Sequence, residues 1–193
     1  LKDILHVPND VYPVGRLDYD SEGLLLITND KSINQQLLNP VFAHQRTYWV
    51  QVEGAITEAA IVQLSKGVSI NVDGKIYKTK PAQLEILPDT LEVPERNPPI
   101  RFRKSIPTSW VAIQITEGKN RQVRKMFAQV GFPVLRLIRA KLGKYSVHQM
   151  QPGDCELRSQ LLRVQRQYQP AYQHLQMLLY LAGQSFQINL PEL

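Results

Sequence analysis

The stretch Val14-Gly15-Arg16-Leu17-Asp18-Tyr19-Asp20-Ser21-Glu22-Gly23-Leu24-Leu25-Leu26-Ile27-Thr28 sets an acid-rich polar turn directly against a continuous apolar run. Leu24 to Thr28 fits a buried strand, which leaves Asp18 at the strand's entrance. Two readings of Asp18 compete. Carboxylates are common in turns, where a short acidic side chain bonds its own backbone. A carboxylate at a strand end, facing a basic helix, is instead a functional group, and in a dry site it needs a nearby cation to stay ionised. Arg124 or Arg121 can supply that cation. Asp18, Asp20, Glu22 and Gly23 also imitate the opening of a calcium loop, but the twelfth position is Asn29 where that loop needs a bidentate Glu.

Outward from this stretch, short strand-like and helix-like segments alternate. Ile33 to Leu38 predicts one or two helical turns closed by Asn39-Pro40. Tyr48, Val50 and Val52 share one face of a predicted strand over Thr47 to Glu53. Thr57 caps a helix that carries Glu58 in its first turn and ends at Gly67. Val68 to Leu87 reads as strands around an Asp73-Gly74 hairpin turn. Pro94 to Pro107 reads as a loop, because prolines interrupt ladders and helices. Val111, Ile113 and Ile115 mark another strand.

Asn120 to Val130 gives the clearest helix, with Val123, Met126, Phe127 and Val130 in one apolar stripe. Arg121, Arg124 and Lys125 lie in a stripe beside it. Gly131 and Pro133 stop the helix, and Val134 to Ile138 follows as a strand. In the tail, Leu175, Leu178, Leu179 and Ala182 suggest a helix, and Phe186, Ile188 and Leu190 a short strand. This order predicts an α+β fold, a mixed and mainly antiparallel sheet flanked by helices.

The 193 residues suffice for one domain with a small appendage. A hydrophobic content of 43% supports a true core. The single Cys155 excludes an internal disulfide framework and suits a reducing cytosol. The longest apolar run, near Met177 to Ala182, falls well short of the ~20 residues of a membrane span, and Leu1 to Asn9 is not a signal peptide. The net charge is +6. From Gly118 to Gly153 there is no acidic residue, while Lys119, Arg121, Arg124, Lys125, Arg136, Arg139, Lys141 and Lys144 all fall there. Arg96, Arg101, Arg103 and Lys104 form a second basic cluster upstream. A field of one sign over so long a stretch attracts a polyanion, and a nucleic acid gains further from counterion release. The four histidines and one cysteine offer no zinc spacing, and neither nucleotide-binding glycine motif is present.

Gly15-Arg16-Leu17-Asp18, running into Ser21-Glu22-Gly23-Leu24-Leu25, resembles the catalytic motif of the pseudouridine synthases, in the branch that acts on small- and large-subunit ribosomal RNA. Arg46 to Gly54 is similar to the strand carrying that family's active-site tyrosine. Glu117 to Met126 resembles its basic helix, and Gly131 to Arg139 its closing strand. The likeness runs in order from about Leu1 to Leu157. Pro98-Pro99-Ile100 and the basic residues around it look most like a large-subunit subgroup.

The resemblance implies isomerisation of a uridine in large-subunit ribosomal RNA, with no cofactor and no metal. It implies Asp18 as nucleophile, through either the pyrimidine ring or the ribose anomeric carbon, and Arg124 as the cation paired with it. Tyr48 would stack on the uracil, with proton transfer as a second role, and Leu137 would pack against the base. Arg16 would hold the vacated stack, because the nucleotide must leave its helix to be reached. Lys119, Asn120, Arg121, Lys125, Arg136 and Arg139 are the RNA-contact candidates, set against a simple role in solubility.

Further expectations are a catalytic unit over 1–157 that lacks the family's opening strand, an extension over 158–193 of unknown role, a monomer, and a cytoplasmic location. The competing reading is a non-catalytic RNA-binding or ribosome-assembly protein of the same fold.

Overall fold

The structure, a computed structural model, describes residues 10–96, 98–100, 103, 105–157 and 176–181. Its strands are β1 (Tyr12–Pro13), β2 (Glu22–Thr28), β3 (Arg46–Glu53), β4 (Ser69–Val72), β5 (Lys75–Lys78), β6 (Gln83–Leu87), β7 (Thr108–Ile115), β8 (Val134–Leu142), β9 (Tyr145–Ser146), β10 (Cys155–Leu157) and β11 (Gln176–Leu181). Its α-helices are α1 (Lys31–Leu38), α2 (Glu58–Ser65) and α3 (Gln122–Gln129). The main sheet runs β10-β11-β2-β8-β3-β7-β6, with β1 beside β2 and β9 beside β8. β4 and β5 form a separate hairpin, turned by Asp73-Gly74. Every described pairing in the main sheet is antiparallel except β2 with β8. The mixed, mainly antiparallel α+β expectation is met.

Local chemistry explains the helices. Asp30 caps α1 by accepting the Ser32 amide at 2.8 Å, and the helix ends at Asn39, before Pro40. Thr57 caps α2 by accepting the Ala60 amide at 3.3 Å. In α3, Val123, Met126 and Phe127 are buried.

Two apolar clusters follow from the strand alternation. Val50, Val52, Val111, Ile113 and Leu137 pack with α3 and with Leu64 of α2. Leu24, Leu26, Ile138, Ala140 and Leu142 pack with Ile33 and Leu37 of α1. Leu137 and Ile138, adjacent on β8, face different clusters, as the two-residue period of a strand requires.

The parallel junction of β2 and β8 is short: Glu22 pairs with Ile138 and Gly23 with Arg139. Gly23 has φ +101, and a Cβ there would stand 2.5 Å from the Arg139 carbonyl oxygen. Only glycine fits both the backbone conformation and the approach.

Side chains reinforce the junction. Glu22, 1% exposed, takes a two-point contact from Arg136, Nε to Oε1 at 3.1 Å and Nη2 to Oε2 at 2.8 Å. Arg96 adds a contact to Glu22 at 3.6 Å. Arg136 also donates to the Pro94 carbonyl at 3.0 Å and lies over the Trp110 ring. Arg139, 5% exposed, donates to the Leu24 carbonyl at 2.8 Å.

Two expectations are corrected here. Arg136 is not free to meet an RNA backbone, because its guanidinium is taken up by Glu22 and the Pro94 carbonyl; Arg139 is also buried, but it lines the cavity of the candidate site. The apolar run of the tail is a strand, not a helix. Gln176–Leu181 lies between β10 and β2, antiparallel to both. A short continuous apolar run satisfies either period, and ladder partners on both sides decide for the strand. The suggested strand near Phe186, the cations Arg101 and Lys104, and the expectation for the opening of the chain fall outside the described residues. Among the described residues no helix is long and apolar enough to cross a membrane.

Removing the Glu22 carboxylate strands Arg136 in the interior. Glu22→Ala is expected to cost about 3–5 kcal/mol of stability, read as a lowered urea midpoint with an unchanged slope. An unchanged midpoint would show that the pair holds nothing.

Candidate active site

A cavity of about 330 Å³ opens where the loop before β2 meets β3, β8 and the entrance of α3. Asp18, Tyr48 and Leu137 line it together with Arg16, Arg46, Arg121 and Arg139. Residues more than a hundred positions apart are brought together because β8 neighbours both β2 and β3: Arg139 is the register partner of Gly23 on one side and of Tyr48 on the other.

Arg139 has a role the sequence does not suggest. Its guanidinium interacts with the Tyr48 side chain, and it also reaches the Arg16 carbonyl at 3.5 Å. Burial lowers its pKa, against the pull of Tyr48. It thus ties the tyrosine of β3 to the loop that carries Asp18.

The segment between β7 and α3 forms another wall. Glu117 accepts from the Tyr77 hydroxyl, from the Lys80 amide at 2.9 Å and from Gln122 Nε2 at 2.6 Å. Gln122, itself buried, accepts the Lys119 amide at 2.9 Å. These bonds fix Gly118 to Arg121 against the β4–β5 hairpin. Lys119 and Asn120 are exposed and line the cavity, with the Lys119 ammonium 5.0 Å from the Tyr77 ring centre. Lys125 is half-buried on α3 and lies outside the lining. Glu117 and Gln122 carry no sequence signal beyond their place in the basic-helix block.

The two arginines expected beside Asp18 close on Asp20 instead. Arg121 grips the Asp20 carboxylate at two points, 2.9 and 2.8 Å. Arg124 lies 3.3 Å from the same carboxylate, and its Nη2 donates to the Asp20 carbonyl at 2.7 Å. Asp18 adds only a minor electrostatic attraction at each of the two arginines. Its carbonyl accepts the Ser21 amide at 2.9 Å, closing a tight turn. Both carboxylates precede the same strand, two residues apart, so spacing alone does not tell which one meets the arginines.

Among the described residues no group of three or more His, Cys, Asp or Glu could hold a metal ion. What the walls offer is one carboxylate, one aromatic face and several apolar side chains, Leu137 among them, with cations around them. Such a cavity suits a single nucleoside whose phosphates lie outside.

Residues 3–129 match the family model described as RNA pseudouridylate synthase, and the chain belongs to that family. It is 52% identical over 145 residues to the ribosomal large subunit pseudouridine synthase E of Vibrio vulnificus, covering 75% of this chain and 60% of that protein. It is 46% identical over 146 residues to the protein of the same name from Xanthomonas axonopodis pv. citri, covering 76% of this chain and 75% of that one. A solved pseudouridylate synthase superposes with a TM-score of 0.60 at 29% identity, covering 75% of this chain and 54% of that one. The chain thus spans about three fifths of the length of its Vibrio relative.

The arginines hold the Asp20 carboxyl below its ordinary value of 3.8, Arg121 most strongly. A depressed carboxylate stabilises the fold fully above its unfolded pKa and loses that contribution as pH falls through the folded value. Wild type is therefore expected to be more stable than Asp20→Asn at neutral pH, with the gap closing in acid. Urea midpoints of both proteins across pH check this, and a gap independent of pH contradicts it.

Proposed function

We propose that the chain converts a uridine of large-subunit ribosomal RNA to pseudouridine, acting on a nucleotide turned out of its stack. Family membership supports the reaction class, and the names of the Vibrio and Xanthomonas relatives support the substrate. The observation that carries the reading is the convergence of Asp18, Tyr48 and Leu137 in one cavity of nucleoside size.

The reaction breaks the bond between C1′ and N1 and forms one between C1′ and C5. C5 loses a proton and N1 gains one, so atoms and electrons balance without a co-reactant. Asp18 is the nucleophile, since an aspartate is ionised at neutral pH and can hold the fragment covalently. Tyr48 stacks on the uracil while it turns, Leu137 closes the other side, and Arg139 keeps Tyr48 in place. Extrusion of the base costs a few kcal/mol. Arg16, exposed beside the nucleophile, fills the gap left in the stack. Lys119, Asn120 and Arg121 meet the flanking phosphates. The catalytic unit is residues 1–157, to whose sheet the extension returns a strand. The protein works as a monomer in the cytoplasm.

Asp18→Asn keeps the shape of the cavity and removes the nucleophile. Pseudouridine formation on unmodified ribosomal RNA is expected to fall by about 10⁴-fold or more, with RNA affinity within about threefold of wild type. Full turnover by this variant refutes the assignment. Wild type that binds the RNA and leaves every uridine unchanged favours the non-catalytic reading.

Tyr48→Phe keeps the stacking face and removes the hydroxyl that interacts with Arg139. It is expected to retain most of the RNA affinity, whereas Tyr48→Ala loses about 1–3 kcal/mol of binding. Equal affinities for the two variants, measured by filter binding, would argue against stacking.

A further inference from the structure

Asp20 has no step in the reaction proposed above, yet it engages two arginines, Arg121, which lines the cavity, and Arg124, which does not. Its carboxylate is gripped at 2.9 and 2.8 Å by Arg121, which lines the cavity. This pair is open to solvent, with Arg121 43% and Asp20 37% exposed. Arg121 adopts a left-handed backbone, φ +49, at the entrance of α3, a conformation that bulky side chains rarely take.

Arg124 is held differently. Its side chain is 12% exposed, and it is fixed by the Asp20 carbonyl at 2.7 Å and the Val134 carbonyl at 3.2 Å as well as by the carboxylate. One arginine is therefore exchangeable and the other is anchored. A phosphate presents oxygens to a guanidinium fork as a carboxylate does.

We propose that Asp20 is a positioning residue that competes with an RNA backbone phosphate for Arg121. In the free protein Asp20 ties the turn at residues 18–21 to α3 through both arginines. When RNA binds, a phosphate takes over Arg121, and Arg124 keeps the turn in place. This inference rests on the reading of the cavity as an RNA site. It predicts opposite signs for binding and turnover. Neutralising Asp20 frees Arg121 for phosphate, so RNA binds more tightly. The same change weakens the hold on the turn that carries Asp18, so chemistry slows. A residue that only stabilised the fold would not raise affinity.

The test compares wild type with Asp20→Asn, Asp20→Glu, Arg121→Gln and the double variant Asp20→Asn/Arg121→Gln. Affinity for oligouridylate is measured across salt, and kcat is measured on unmodified large-subunit ribosomal RNA. Asp20→Asn is expected to bind about two- to fivefold more tightly, with a log–log salt slope steeper by about 0.7. Its kcat is expected to fall about ten- to a hundredfold. The affinity gain disappears in the double variant, and Asp20→Glu moves both quantities back toward wild type. If Asp20→Asn binds no more tightly, or keeps its gain without Arg121, or turns over at the wild-type rate, the inference is overturned. Wild type that binds oligouridylate and forms no pseudouridine overturns the proposed reaction instead, and the binding comparison still decides the competition for Arg121.

Discussion

The structure depends on a junction of two residue pairs, where β2 and β8 run parallel at Glu22–Ile138 and Gly23–Arg139. The ladders on the other side of these two strands are longer: β2 shares six pairs with β11, and β8 seven with β3. So short a parallel contact leaves backbone groups and charges of β2 to be satisfied by side chains, and two buried arginines of β8 do this. Arg136 matches Glu22, and Arg139 takes the Leu24 carbonyl. Buried ion pairs contribute little net stability against a well-packed apolar alternative. Here they fix a register, because a slip of one residue would put both guanidinium groups on the wrong face of the sheet.

The geometry of the cavity follows from that register. Asp18 sits on the turn that leads into β2, and Tyr48 sits on β3, the other neighbour of β8. Arg139 reaches Tyr48 and the Arg16 carbonyl together. The loop that carries Asp18 and the tyrosine of β3 are thus aligned through one shared strand. The opposite wall is held independently, by Glu117 and Gln122 against the β4–β5 hairpin. Of the exposed cations on this wall, Arg121 also reaches across to Asp20, two residues before the junction.

Much of this was readable from local pattern. The alternation at Tyr48, Val50 and Val52, the stripe of Val123, Met126 and Phe127, the Thr57 cap and the Asp73-Gly74 turn all express nearest-neighbour physics, and all match the structure. What could not be read depends on distant partners. Arg136 and Arg139 look like surface cations because their acceptors, Glu22 and the Leu24 carbonyl, lie more than a hundred residues away. The acid-free stretch is therefore partly an internal device and not wholly an external field. The preference of Arg121 and Arg124 for Asp20 over Asp18 is set by the turn that Ser21 closes, which composition does not encode. The tail strand needed its two ladder partners before its apolar run could be assigned.

The central claim is that a uridine, freed from its stack, occupies the cavity between Tyr48 and Leu137 with its sugar toward Asp18. A crystal structure of the Asp18→Asn variant bound to a uridine-containing fragment of large-subunit ribosomal RNA tests it most directly. The account predicts one everted nucleotide in that cavity, with its flanking phosphates near Lys119 and Arg121. RNA seated instead on the far face of the sheet, across Trp49, Lys141 and Lys144, with the cavity left empty, would contradict it.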